Sequence, residues 1–95
     1  MIVVDASVAV KWFLPEAGSE EATQLLTGTD KLIAPDLVRV EVAAAITRRV
    51  RLGELPENEA IQICHDWLKA LSEGVITLTA SEDDLAEAIK DVDRI

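Results

Sequence analysis

The chain opens on Met1-Ile2-Val3-Val4-Asp5-Ala6-Ser7-Val8, an apolar run that ends on an aspartate followed by a small residue and a hydroxyl. No polar residue alternates within residues 2–4. The run therefore reads as a strand buried on both faces, as in the middle of a parallel sheet. Asp5 then falls at the carboxyl end of that strand, where open α/β sheets place their ligands. Ser7 is expected to cap a helix beginning at Val8. A carboxylate at a strand tip beside a helix start is the geometry of a site, and the remaining residues must say which kind.

Residues 8–14 form a short, almost wholly apolar helical stretch stopped by Pro15. Ser19 is expected to cap a second helix, with Glu20 and Glu21 at its positive end, Leu25 and Leu26 facing inward, and Gly28 ending it. A strand over residues 31–34 closes at Pro35. The longest helical pattern covers residues 36–52, with Leu37, Val40, Ala44 and Thr47 on one stripe, Val38, Ala45 and Leu52 beside it, and Gly53 as its stop. Pro56 begins a further helix with the stripe Ala60, Cys64, Trp67, Leu68 and Leu71, ended by Gly74. Residues 75–78 read as a third strand. Ser81 with Asp84 resembles a capping box for a last helix that buries Leu85, Ala88, Ile89 and Val92. The order β-α-α-β-α-α-β-α points to a single α/β domain with a parallel sheet and right-handed crossovers.

Several function classes are excluded or disfavoured by bulk properties. No apolar run approaches the roughly 18 residues of a membrane span, and no basic leader precedes the first strand, so a cytoplasmic protein without membrane contact is expected. The single cysteine, Cys64, excludes an internal disulfide and suits a reducing compartment. A formal net charge of −9 disfavours nonspecific adhesion to nucleic acid. It does not exclude a nucleic-acid enzyme that gathers acids around a metal. Arg48, Arg49 and Arg51 form a tight basic group in this acidic chain.

Two acids are set among apolar residues: Asp5 after the first strand and Glu41 within the third helix. Each has a plain alternative, Asp5 as a cap and Glu41 as a solvated or salt-bridged helix position. If both converge on one strand end, their repulsion raises the proton affinity of the pair. A hard cation resolves that conflict, since Mg²⁺ or Mn²⁺ prefers carboxylate and water oxygens and keeps positions open for a phosphate. Such a site hydrolyses phosphodiesters.

The stretch I-V-V-D-A-S-V-A-V-K-W-F-L-P-E at the N-terminus, followed by A-P-D-L-V-R-V-E-V-A-A-A-I over residues 34–46, resembles the PIN-domain ribonucleases, and more narrowly the VapC-type toxins of toxin–antitoxin pairs. The resemblance implies a three-layer α/β/α fold with a parallel sheet and a Mg²⁺- or Mn²⁺-dependent endoribonuclease, dimeric and held inactive by a cognate antitoxin. It carries the family's first acid onto Asp5, the supporting hydroxyl onto Ser7 and the second acid onto Glu41, so that these residues are expected to hold the metal. Family members carry a third acid, and often a fourth, after the helix at residues 81–91. The chain stops just before the first of these, and Asp91 and Asp93 lie in surroundings unlike that motif. One PIN-like domain over residues 1–95, incomplete at its C-terminus after the fourth-to-fifth helix region, is therefore expected. Such a chain leaves an open edge at residues 2–4, which is expected to be covered by a dimer or swapped assembly, or by further residues of the same protein.

Lys11, Arg48 and Arg49 are candidate RNA contacts, although the arginines equally suit the negative end of a helix dipole. His65 lacks a second ligand at metal-binding spacing and reads as a surface residue. Cys64 reads as core, and the Trp12-Phe13-Leu14 cluster as core or subunit interface. Ser7 lacks the context of a serine nucleophile. A second reading, from a different class, is a non-catalytic remnant that keeps the fold and serves as a protein-binding or dimerisation module. A receiver-like or flavodoxin-like regulator shares the strand-end aspartate but lacks the acid pair and lysine motif expected of it.

Overall fold

A computed structural model of the chain describes residues 1–80. Its elements run β1 (Ile2–Val3), α1 (Ala6–Val10), α2 (Ser19–Thr27), β2 (Leu32–Pro35), α3 (Val38–Arg51), α4 (Glu57–Ser72) and β3 (Thr77–Thr79). This is the expected order as far as the described residues reach. The helix expected at residues 81–91, with Asp91 and Asp93, lies outside them.

The three strands are parallel and stand in the order β1-β2-β3. Ile2 pairs with Leu32 and Val3 with Ile33, while Ala34 pairs with Leu78 and Pro35 with Thr79. The strand buried on both faces is β2, whose Leu32, Ile33 and Ala34 are all buried. The expectation had assigned that character to residues 2–4. Among the described residues β1 has a neighbour on one side only, and Val3 remains 46% exposed while Val4 is fully buried. Successive strand residues point to opposite faces, so β1 covers one face and leaves the other open.

The core gathers Val4 from the end of β1, Ala9, Val10 and Leu14 from the α1 region, Val38, Val42 and Ile46 from α3, and Ala60 and Trp67 from α4. Trp67 is the largest fully buried side chain. Its indole Nε1 donates to the Arg39 carbonyl at 3.3 Å, and Phe13 meets it edge-on at a centroid distance of 6.1 Å.

The stripe of α3 is rotated from the one expected, whereas in α4 the expected Ala60, Cys64, Trp67 and Leu71 do meet the core. In α3 the buried residues are Val38, Val42 and Ile46, at spacings of four, whereas Leu37 and Val40 are more than half exposed. In α4 Leu68 faces outward beside the buried Trp67, and in α2 Ala22 is buried while Leu26 is exposed. An apolar residue set around a helix fits several rotations. The one adopted here gives the core to Trp67 and the β-branched residues of α3.

Both long helices end alike. Gly53 and Gly74 take positive φ values of 73° and 74°. After α3 the Gly53 amide donates to Val50 and the Glu54 amide to Arg49; after α4 the Gly74 amide donates to Leu71 and the Val75 amide to Ala70. These are paired closing bonds of a left-handed cap, which a side chain at the glycine position would strain.

Candidate functional site

Asp5 ends the first strand and begins α1. Its backbone is extended, and its Oδ1 accepts from the Val8 amide at 3.0 Å. That bond satisfies one of the amides left over at a helix start. The Ser7 hydroxyl donates to the same oxygen at 2.6 Å. The cap is therefore Asp5 and not Ser7, and the helix starts at Ala6 rather than Val8. Beyond Val10 the expected helix continues only as tightened turns, in which the Lys11, Trp12 and Phe13 amides each donate three residues back. In α2 the cap is likewise Gly18 rather than Ser19. The Ser19 hydroxyl instead accepts from the Glu16 amide and donates to the Leu14 carbonyl, bracing the loop between the two helices.

The Ser7 hydroxyl, and after it the Val8 amide, hold the Asp5 carboxyl below its usual range. Partial burial opposes them, and the Ser7 amide and the Lys11 charge add smaller effects in the same direction as the first two. Asp5 is thus ionised through the neutral range and at moderately acid pH.

Glu41 lies in the first turn of α3, where its charge suits the positive end of the helix. α1 follows β1, α3 follows β2, and these strands are parallel neighbours, so both helices begin at the same end of the sheet. α1 packs against α3. Glu41 shares one helical row with Ala45, Arg48 and Leu52, at spacings of three and four. Those three residues line a cleft of about 710 Å³ opposite Ala6, Ser7 and Val10 of α1. Both acids are exposed, in contrast to the apolar frames expected around them: one sits at a strand tip and the other on a helix turn that faces away from the core. Among the described residues Glu41 has no ion-pair partner, so of the plain alternatives it takes the solvated helix position and not the salt-bridged one. Arg39 instead pairs with Asp36.

The basic candidates separate. Arg48 lines the cleft with Ser7 and, among the described residues, pairs with no acid. Arg49 lines it too, but its guanidinium bonds Glu16 through Nη2 and stands 3.6 Å from Glu54 through Nε. Lys11 is half-buried on the side of α1 that meets Gly18 and Ala22 of α2. The partnership of Arg49 with Glu16 was missed by the sequence reading, because the two are 33 residues apart and nothing in the local pattern joins them. His65 is exposed, as expected of a surface residue, and Cys64 is half-buried against the core. Leu14 is buried, Phe13 packs on Trp67, and Trp12 donates to the Ala22 carbonyl at 2.7 Å.

Among the described residues no group of three His, Cys, Asp or Glu side chains could enclose a metal ion. Asp5 and Glu41 are hard oxygen donors with solvent access, which suits Mg²⁺ or Mn²⁺, ions commonly bound by one or two carboxylates with water completing the shell. No helix among the described residues is long and apolar enough to cross a membrane.

Comparison with known proteins agrees with this architecture. The PIN domain family model matches residues 2–93. Ribonuclease VapC3 of Pyrobaculum aerophilum is 34% identical over 73 residues, which cover 74% of this chain and 56% of that protein. Ribonuclease VapC45 of Mycobacterium tuberculosis is 34% identical over 67 residues, covering 70% of this chain and 46% of that protein. The chain thus spans about half the length of the curated relatives it matches. The parallel sheet with helices between its strands, the sequence match over nearly the whole chain and the likeness to VapC proteins lead to one conclusion: this chain belongs to the PIN-domain family, with its three-layer α/β/α fold.

Proposed function

We propose that the protein is a Mg²⁺- or Mn²⁺-dependent endoribonuclease of the toxin–antitoxin type, in which Asp5 and Glu41 hold the metal and Ser7 supports Asp5. The observation that carries this reading is the Ser7–Asp5 pair at the carboxyl end of the first strand, with Glu41 in the first turn of the helix that follows the neighbouring strand. The ribonuclease names of the VapC relatives supply the reaction class.

The roles of the residues follow from their chemistry. The Ser7 hydroxyl fixes the Asp5 carboxylate and lowers its pKa. Glu41 supplies a second anionic oxygen donor from a different element. When bound, the ion supplies Lewis-acid polarisation of a phosphodiester and of water. The substrate is RNA, and the cognate partner is an antitoxin protein. A homodimer is part of the same proposal, and the exposed Leu37, Val40, Ile61 and Leu68 offer apolar surface for these partners.

A second reading rests on the lack of a third metal-binding acid among the described residues: a PIN-fold module that binds protein without cleaving RNA. Calorimetric titration of Mn²⁺ into wild type and Glu41→Gln separates the two. Binding that the substitution weakens, with Mn²⁺-dependent cleavage of a single-stranded RNA, supports the nuclease. No binding at millimolar Mn²⁺ and no cleavage leave the protein-binding module.

A further inference from the structure

The adjacent arginines at the end of α3 meet the same cleft in different electrostatic states. Arg49 lies between two carboxylates: Glu16, from the loop before α2, and Glu54, from the turn after α3. The left-handed turn at Gly53 brings Glu54 back over Arg49, whose carbonyl also accepts the Glu54 amide at 2.9 Å. Both acids stand on the Nε–Nη2 edge of the guanidinium, Glu16 hydrogen-bonded to Nη2 and Glu54 paired with Nε at 3.6 Å, so its charge is offset by two carboxylates. Arg48 is exposed and, among the described residues, has no acid on it, yet it lines the same cleft as Ser7. An anion entering the cleft therefore meets one arginine that is available and one that is engaged. Without Arg49, the two glutamates would leave a local excess of negative charge that repels a phosphate.

We propose that these arginines divide the work of RNA binding: Arg48 takes a strand phosphate in the cleft beside Ser7, and Arg49 is a positioning residue that neutralises Glu16 and Glu54 so that the phosphate can enter. The proposal rests on the ribonuclease reading and assigns its substrate groove. It also separates two neighbours that sequence alone treats as equivalent basic residues. Arg49 touches no substrate in this scheme, and its effect on RNA runs through the acids it holds.

The test measures binding of a short fluorescent single-stranded RNA to the full chain in Ca²⁺ buffer, over a range of salt concentrations. Arg48→Ala weakens binding and lowers the slope of log affinity against log salt by about 0.7, the value for one phosphate contact on a single strand. Arg49→Ala also weakens binding, and the further changes Glu16→Gln and Glu54→Gln restore it, because they remove the charge that Arg49 had masked. Arg49 serving only as a structural tie would gain nothing from losing its partners. Circular dichroism checks that each variant is folded, and Arg48→Gln, which keeps most of the side-chain packing, stands in if Arg48→Ala is not. Wild-type binding with an Arg48→Gln slope equal to wild type would overturn the role of Arg48. Failure of the two glutamine changes to restore binding would overturn that of Arg49. No RNA binding by wild type would overturn the ribonuclease reading and this proposal with it.

Discussion

The Ser7 hydroxyl lies 2.6 Å from Asp5 Oδ1, the same oxygen that accepts the Val8 amide. One carboxylate oxygen thus closes a helix start and receives a hydroxyl from within that helix. A capping aspartate and a metal-binding aspartate are usually weighed as alternatives. Here the cap fixes the carboxylate in place and lowers its pKa, so that capping is compatible with the metal role proposed for Asp5.

Removing the hydroxyl tests that link directly. Ser7→Ala raises the Asp5 pKa toward the ordinary aspartate value, since the Ser7 hydroxyl is the largest cause of its depression. A folded-state pKa below the unfolded one contributes stability above the unfolded value, and this is lost as pH falls through the folded value. The substitution therefore reduces stability near neutral pH and shrinks the acid-side loss. Carbon-detected NMR titration of the Asp5 carboxyl reads the shift; an unmoved titration would acquit Ser7.

Substitutions at Asp5 separate the cap from the charge. Asp5→Ala removes both and destabilises the fold by about 0.5–2 kcal/mol, toward the low end because α1 is short and Asp5 exposed. Asp5→Asn keeps a good capping side chain, so stability changes little, while the proposed metal role requires that Mn²⁺ affinity and RNA cleavage be lost. Urea denaturation beside Mn²⁺ calorimetry checks the pair, and equal metal affinity in wild type and Asp5→Asn would remove the metal role from Asp5.

The core depends most on Trp67, which is 1% exposed and ties α4 to Phe13 and to the Arg39 carbonyl. Trp67→Ala costs about 3–5 kcal/mol. That is a large part of the stability of a small domain, and a strongly lowered urea midpoint or failure to fold is expected. Trp67→Phe keeps most of the packing and loses the indole donor, at about 1 kcal/mol.

Gly53 is expected to matter beyond its own turn. Gly53→Ala forces a side chain into the left-handed region at a cost of about 1–2 kcal/mol. It also loosens the turn that holds Glu54 against Arg49. Denaturation gives the first effect. NMR of the Arg49 Nε–H gives the second, and an unchanged Arg49 resonance would show that the turn does not position Glu54.

Much of the fold is legible along the chain. The order of strands and helices, the stops at Gly28, Gly53 and Gly74, and the position of Asp5 at the end of the first strand follow from local pattern and turn chemistry. These signals lie within a few residues of what they control, and the family likeness of residues 2–16 and 34–46 depends on the same short stretches. Tertiary structure decided the rest. It made β2 rather than β1 the doubly buried strand, because burial of a strand depends on what stands on either side of it. It turned α3 so that Val38, Val42 and Ile46 face the core and Glu41 shares a row with the cleft-lining Ala45 and Arg48. It also distinguished Arg48 from Arg49, identical and adjacent in sequence, by bringing Glu16 from 33 residues away onto one of them. A residue's type and periodic setting are local properties, but its exposure and its charge partner belong to whichever elements pack beside it.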